Sequence, residues 1–91
     1  MSNIKIEKER IDRLMDTAEY EIITTFRKCT IVTARLENGF ILTESSACVD
    51  EDNYDLGLGI RLCKDKIRER LWELEGYLLQ NDVNAAVKRR G

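Results

Sequence analysis

The sequence predicts an α+β fold: an N-terminal helix, an antiparallel β-hairpin of two or three strands, and a long C-terminal helix packed on the sheet. Apolar residues recur at helical spacing towards both ends of the chain. Between them lies a stretch dense in β-branched residues, which an Asn-Gly pair interrupts. The 91 residues make a single domain, 1–91, in which we expect 82–91 to be a flexible tail.

The first predicted element is a helix from Asn3 to about Ala18. Its apolar residues lie three, four or seven positions apart and so share one face opposite a charged face. They are Ile4, Ile11, Leu14, Met15 and Ala18. Ser2 or Asn3 is a suitable side-chain cap for this helix.

The stretch from Tyr20 to Leu36 is rich in Ile, Val and Thr, which favours β-structure. Asn38-Gly39 then predicts a two-residue type I′ turn, because both central residues of that turn need a positive φ. The next strand is predicted from Phe40 to about Val49.

A two-residue turn sets the pairing of these strands, with Leu36 opposite Ile41 and Cys29 opposite Cys48. One face then carries Leu36, Ile41, Ala34 and Val32, and the other carries Phe40, Leu42 and Ile31. Neither face is cleanly polar, so we expect both to be at least partly covered.

The last predicted element is a helix from about Tyr54 or Asp55 to about Leu79, ended by Asn81-Asp82. Candidate N-terminal caps are Asp50, Asp52 and Asn53. Its apolar stripe comprises Ile60, Cys63, Ile67, Leu71, Leu74, Tyr77 and Leu78, widened by Trp72 and Leu79. Gly57 and Gly59 permit a close approach of another backbone.

Composition excludes several classes of protein. The chain is 43% hydrophobic and 35% charged, which is too apolar for a disordered chain. A net charge of −2 does not suit a binder of duplex nucleic acid. No apolar run approaches the ~18 residues of a membrane span. The charged N-terminus has no secretory pattern, so a cytoplasmic location is expected.

The residue types needed for metal or catalytic chemistry are scarce. Histidine is absent, and the three cysteines match no zinc spacing, so we predict free thiols, no metal and no cofactor. A Cys-His pair is impossible, and the chain is predicted not to be an enzyme. The acidic run from Asp50 fails the calcium-loop pattern, since Asp55 stands where glycine is needed and Arg61 where glutamate is needed.

A polar patch from Thr43 to Ser46 leaves two interpretations open. Its hydroxyl groups, with Arg35, Asn53 and Arg61, would converge on a small polar ligand at the junction between strand and helix. Alternatively, they make only local turn and capping hydrogen bonds.

The predicted elements also carry more apolar surface than one small chain buries against itself. Phe40, Leu42 and Ile31 on the second sheet face, with Leu14 on the first helix, need further cover. A homodimer or higher ring is the usual solution, so we expect the chain to be its own partner.

The stretch from Asn38 to Asp55, followed by L-W-E-L-E-G-Y-L-L-Q at 71–80, resembles a family of small tailed-phage proteins named after gene products forty-nine and sixty-six. The resemblance covers about Val32 to Gln80. It implies a phage or prophage accessory protein that acts in the cytoplasm of the infected bacterium.

Small phage proteins of this build are also similar to anti-defence sponges, which sequester cyclic nucleotide or cyclic ADP-ribose immune signals. That likeness implies a non-catalytic binder of a small anionic nucleotide. Its ligand-binding residues would be Arg35 and Arg61 on phosphate, Thr43, Ser45, Ser46 and Asn53 as hydrogen-bond donors, and Tyr54 or Phe40 stacked on a base. The alternatives are a protein-interaction module that inhibits a host protein, and a virion or assembly factor.

Overall fold

The computed structural model describes residues 5–90, with the side chains of 5–88, and confirms the predicted α+β fold. The elements are α1 (Lys8–Thr17), β1 (Glu19–Thr25), β2 (Cys29–Arg35), β3 (Ile41–Ala47), a short 3₁₀ turn (Glu51–Asn53) and α2 (Leu56–Arg90). The strands form one antiparallel sheet in the order β1-β2-β3.

The core lies between α2 and one face of the sheet, and α1 packs beside α2. It is one cluster of apolar side chains: Ile11, Leu14 and Met15 from α1; Val32, Ala34, Leu36 and Leu42 from the sheet region; and Cys63, Ile67 and Leu71 from α2. The central part of each predicted helical stripe is therefore confirmed. The far end of the α2 stripe is not in the core, since Tyr77 is 68% exposed and Leu78 is 54% exposed.

Helix α1 is shorter than predicted, because it begins at Lys8 rather than Asn3. Glu7 occupies the N-cap position and makes no side-chain cap hydrogen bond. The predicted caps Ser2 and Asn3, and the apolar Ile4, lie outside the described residues. Two ion pairs join α1 to α2, between Arg10 and Glu75 and between Arg68 and Asp12.

The β-rich stretch folds into two strands joined by a turn at Phe26–Lys28. Phe26 and Arg27 have φ values of 52° and 58°, the left-handed conformation that the central residues of a type I′ turn require. Neither residue type favours that conformation. Sequence patterns therefore gave no sign of this turn. The prediction of two to three strands rested on the Asn38-Gly39 signal alone, which accounts for two of the three strands.

The second hairpin has a three-residue loop, and the predicted pairing is wrong by one residue. Arg35 pairs with Ile41, and the Leu36 amide donates to the Phe40 carbonyl oxygen at 2.9 Å. Only Gly39, at φ 93°, has a positive φ in this loop, and the Asn38 side chain accepts from the Phe40 amide. These features suit the longer hairpin connection that ends in a left-handed glycine.

The shift exchanges the faces of every residue on β3. Leu42, predicted on the second face, is 2% exposed in the core, while Ile41 is 51% exposed on the other side. We call the side of the sheet away from α2 the outer face. No element within residues 5–90 of the chain covers it, although we expected cover on both sides. The predicted pair of Cys29 and Cys48 is also wrong, since Cys29 lies opposite Ala47.

Helix α2 begins at Leu56, close to the prediction, but with a different cap. The Asp55 carboxylate accepts from the Leu58 amide at 3.0 Å, as an N-cap residue does. Of the predicted caps, Asp50 instead accepts from the Asp52 amide at 2.9 Å and so caps the 3₁₀ turn.

The same helix runs to Arg90, so the predicted end at Asn81-Asp82 is wrong and residues 82–90 are helical. Its 35 residues span about 52 Å, longer than the sheet that it crosses. The Cα radius of gyration is 17.1 Å, against about 12 Å for a compact chain of this length. The last turns of α2 therefore project beyond the domain.

Helix α2 comes very close to the sheet at Gly59. A Cβ atom on Gly59 would lie 2.8 Å from the Cβ of Thr30 and closer still to its hydroxyl oxygen. Thr30 is fully buried in β2. The prediction of close backbone approach is confirmed for Gly59. It does not hold for Gly57, where an added Cβ would lie in ordinary contact, 3.4 Å, with the Asp55 side chain and would meet no strand residue among those described.

Gly59→Ala should lower the free energy of unfolding by about 1–3 kcal/mol, because the added methyl group overpacks the contact with Thr30. Gly57→Ala is the matched control. It should be neutral or raise stability by up to about 1 kcal/mol through helix propensity. Urea unfolding of both variants measures the difference. Equal effects at the two glycines would show that α2 does not rest on Thr30.

Phe26→Asn combined with Arg27→Gly should raise the free energy of unfolding by about 1 kcal/mol, because Asn-Gly adopts two positive φ angles at less strain. Arg27→Ala is the control, since it removes the same side chain and its 4.0 Å exposed ion pair with Glu51 while the strain remains. Thermal unfolding of the variants compares them. A double variant no more stable than Arg27→Ala would contradict the strained turn.

Candidate functional site

A wide cleft opens where the end of α1 and the start of β1 face the first half of α2. Its volume is about 580 Å³, within the ~300–1,000 Å³ usual for small-molecule sites. We call it the cationic cleft. Its lining residues are Met15, Asp16 and Tyr20 on one wall and Gly57, Ile60, Arg61, Lys64, Asp65 and Arg68 on the α2 wall.

Three cations line the α2 wall because of helical spacing. Arg61, Lys64 and Arg68 are three and four residues apart, so they lie on one side of the helix over about 10 Å of its length. Asp16 and Asp65 lie among them, which leaves a formal charge of +1 from three cations and two anions. The arrangement suits a ligand with a small negative charge and additional polar groups.

The three cations differ in their existing partners. Arg68 donates to Asp12 at 2.6 Å, and hydrogen bonds from Lys8 and then Arg68 hold the pKa of Asp12 below its usual value. The Lys64 ammonium lies 4.3 Å from the centre of the Tyr20 ring. Among residues whose side chains are described, Arg61 makes no ion pair, which leaves it the most available of the three.

Tyr20 forms the aromatic wall of the cleft. Its hydroxyl donates to the Met15 carbonyl oxygen at 2.7 Å, which fixes the ring at the junction of α1 and β1. Burial raises the pKa of Tyr20, so the side chain stays neutral at physiological pH. A ligand in the cleft would therefore meet a fixed, uncharged ring beside the cations.

Of the eight residues predicted from sequence, only Arg61 lines this cleft. Arg35, Thr43 and Ser45 lie on the outer face of the sheet, where Arg35 donates to Glu19 at 2.6 Å. Ser46, Asn53 and Tyr54 line a separate pocket at the junction of β3 and α2. Phe40 lies at the end of the second hairpin. The structure thus divides the predicted set and does not bring it together at the junction.

The junction pocket is small, at about 180 Å³. Its Tyr54 hydroxyl shares hydrogen bonds with the hydroxyls of Thr24 at 2.9 Å and Thr30 at 2.7 Å. Tyr54 therefore ties the entrance of α2 to β1 and β2. This geometry gives Tyr54 a structural role at the junction.

A third feature is an apolar groove at the end of the second hairpin, which we call the hairpin groove. It holds about 260 Å³ and is lined mainly by Leu14, Leu36, Phe40, Leu71, Leu74, Tyr77 and Leu78. Phe40 is 47% exposed here, so its ring faces the groove and the solvent and is distant in the fold from the junction. Exposed aromatic side chains around an apolar groove are typical of protein-binding surfaces.

Comparison with known proteins decides the family. A family model described as Phage protein (N4 Gp49/phage Sf6 gene 66) family matches residues 6–83, most of the chain. The chain belongs to this family. The phage protein matches no curated protein and no solved structure. The resemblance seen in the sequence is therefore confirmed at the level of the family, and the cleft adds a chemical feature that the family description does not name.

Other features of the phage protein bear on the type of site. Within residues 5–90, no helix is long and apolar enough to cross a membrane. The same residues contain no group of three or more Cys, Asp or Glu side chains placed to hold a metal ion. Burial raises the pKa of the Cys63 thiol, which therefore stays protonated in the core.

Sequence reasoning missed Tyr20, Lys64 and Arg68 in the cleft. One signal was present, since the three cations of α2 repeat at helical spacing. The Tyr20 position depends on how α1 meets β1, which no local pattern encodes.

Tyr54→Phe should destabilise the phage protein by about 1–3 kcal/mol, because it leaves the buried Thr30 hydroxyl without this partner. Tyr77→Phe is the matched control, since Tyr77 is 68% exposed, and should change stability little. Chemical unfolding compares the two variants. If Tyr54→Phe is as stable as the wild type, Tyr54 does not anchor α2, and a ligand role at the junction becomes the better explanation.

Proposed function

We propose that the phage protein is a non-catalytic binder that sequesters a small anionic nucleotide in the cytoplasm of the infected host. Cyclic nucleotides and cyclic ADP-ribose type immune signals are the class of ligand, which makes the protein an anti-defence sponge. The observation that carries the proposal is the cationic cleft, with Arg61, Lys64 and Arg68 beside the Tyr20 ring.

The chemistry of the cleft supports this class of ligand. Arg61 offers a planar fork that binds two phosphate oxygens at once, and Lys64 adds a mobile point charge. Movement of Lys64 off the ring would expose Tyr20 as a stacking surface for a base. The formal charge of +1 suits a ligand with one or two phosphates and hydroxyl groups, which Asp16 and Asp65 accept from.

The site in this proposal differs from the set predicted from sequence. Arg61 keeps its role, Lys64 and Arg68 replace Arg35 as the other phosphate-binding groups, and Tyr20 replaces Tyr54 or Phe40 as the stacking ring. Thr43, Ser45, Ser46 and Asn53 lie elsewhere and have no part in it.

The hairpin groove favours a second candidate function, inhibition of a host protein by direct contact. Phe40, Tyr77 and Leu78 expose 47%, 68% and 54% of their surfaces around this mainly apolar groove. Aromatic side chains that a partner buries on binding often dominate protein-protein affinity. The groove and the cationic cleft share no residue, so substitutions separate the two functions.

A thermal-shift screen of the pure protein against cyclic mononucleotides, cyclic dinucleotides and cyclic ADP-ribose isomers tests the sponge function. A true ligand at about 100 times its dissociation constant should add about 2.7 kcal/mol of stability. Chromatography of the released ligand should recover it intact, as a binder without catalysis requires.

Arg61→Gln combined with Lys64→Gln should abolish the shift, and Arg13→Gln, an exposed residue of α1 outside the cleft, should retain it. The absence of a thermal shift with every one of these compounds would rule out the sponge function. If phage fitness on a defended host instead depends on Phe40 and Tyr77 and not on Arg61 and Lys64, the protein-contact function is favoured.

A further inference from the structure

The outer face of the sheet combines exposed apolar side chains with few charges. Every second residue of the three strands points to it, and these include Ile23, Ile31, Ile41, Cys29 and Ala47. Ile23 is 58% exposed and Ile41 is 51% exposed. Most of the remaining residues are threonines and a serine, and the only charges are Glu19, Glu21 and Arg35. Antiparallel sheets that stay wet normally show alternation with a polar outer side.

The side chains also make this face flat. Thr33 lies opposite Thr43, Ile31 opposite Ser45 and Cys29 opposite Ala47, so small residues occupy much of β3 and the centre of the face. Two such faces approach to about 10 Å, the usual separation of packed sheets. A second copy offers an equally flat surface for this packing.

The charges lie at one end of the face and complement each other. Glu19, Arg35 and Ile41 form the last row, with Glu21 in the row beside it. Arg35 already binds Glu19 at 2.6 Å, and this hydrogen bond, with a smaller contribution from Glu21, raises the pKa of the Arg35 side chain. This end can therefore remain at the rim of an interface, while the row of Ile23 and Ile31 and the opposite end row of Thr25 and Cys29 pack against the second copy.

The size of the face fits the small end of specific interfaces. Three strands of seven residues cover about 24 by 14 Å, or about 340 Å² in projection. Side-chain relief adds to this area, so two copies face to face bury on the order of 1,000 Å² in total, near the lower limit for a specific complex.

We propose that the outer face pairs with the outer face of a second copy, so that two sheets stack with their helices on the outside. The two-fold axis passes over β2 near Ile31. A symmetric pair of this kind needs no other component. The cationic cleft lies on the α2 side of the sheet, so the dimer leaves both clefts open, and the inference goes beyond the proposed function without depending on it.

This interface differs from the surface predicted from sequence. Leu42 and Leu14, expected to be available for self-association, are 2% and 8% exposed in the core. Charged residues there would disrupt folding and give no information about assembly. Ile31 keeps its predicted role, and Ile23, which was not singled out, becomes its neighbour across the strand pair.

Size-exclusion chromatography with light scattering, run on the 91-residue chain at micromolar concentration, tests the dimer. We expect twice the chain mass for the wild type and the mass of a folded monomer for Ile23→Lys. Val49→Lys is the matched control, since Val49 is 96% exposed outside the sheet, and should remain dimeric. Thr43→Lys, a second change on the outer face, should also give a monomer. Circular dichroism establishes that each variant is folded.

Cys29 supplies an independent test. It lies on the outer face next to the axis, whereas Cys63 is buried in the core and Cys48 lies after β3. In a Cys48→Ser background, a flexible bis-maleimide should join two chains, and adding Cys29→Ser should abolish the cross-link. A monomeric wild type, a dimeric Ile23→Lys variant, or a Cys48→Ser chain that does not cross-link would each overturn the proposal. None of these results depends on whether a nucleotide binds.

Discussion

The contact between Gly59 and Thr30 governs the arrangement of the two layers. Helix α2 can approach the buried Thr30 of β2 only because Gly59 has no side chain. Tyr54 secures the same place from the preceding loop through its hydrogen bond to Thr30. Once α2 is fixed there, its 3.6-residue period places Cys63 and Ile67 over the sheet and turns Arg61 away from it, towards α1. One side of α2 thus forms part of the core and another side lines the cleft, and the Gly59–Thr30 contact positions both.

The helices and the fold class followed from periodicity, whereas the sheet register did not. Asn38-Gly39 is a strong hairpin signal, but it is compatible with loops of two or three residues, and the choice between them decides which face Leu42 joins. Local preference favours the shorter loop. Burial of Leu42 against α2 outweighs it, because a slip of one residue would move Leu42 to the outer face. Tertiary packing therefore selected the register.

The candidate site was harder to predict for a geometric reason. Ser45 and Ser46 are adjacent in sequence, yet successive strand residues point to opposite faces, so a polar cluster within one strand cannot converge. In a helix the reverse holds, and Arg61, Lys64 and Arg68 share a side although they span two turns. The Tyr20 wall comes from a different element, and its placement depends on the short connection between α1 and β1.

Because α2 projects beyond the sheet, its two ends have different structural roles. Its first turns carry the Gly59 contact and one wall of the cleft, while its last turns, past Leu79, extend along the 61 Å long axis of the molecule. A label, surface or fused domain attached near Arg90 would stand roughly 40 Å from Arg61, at about 1.5 Å per residue. The helix thus acts as a built-in spacer, and the protein can be tethered by its end without its cleft being obstructed.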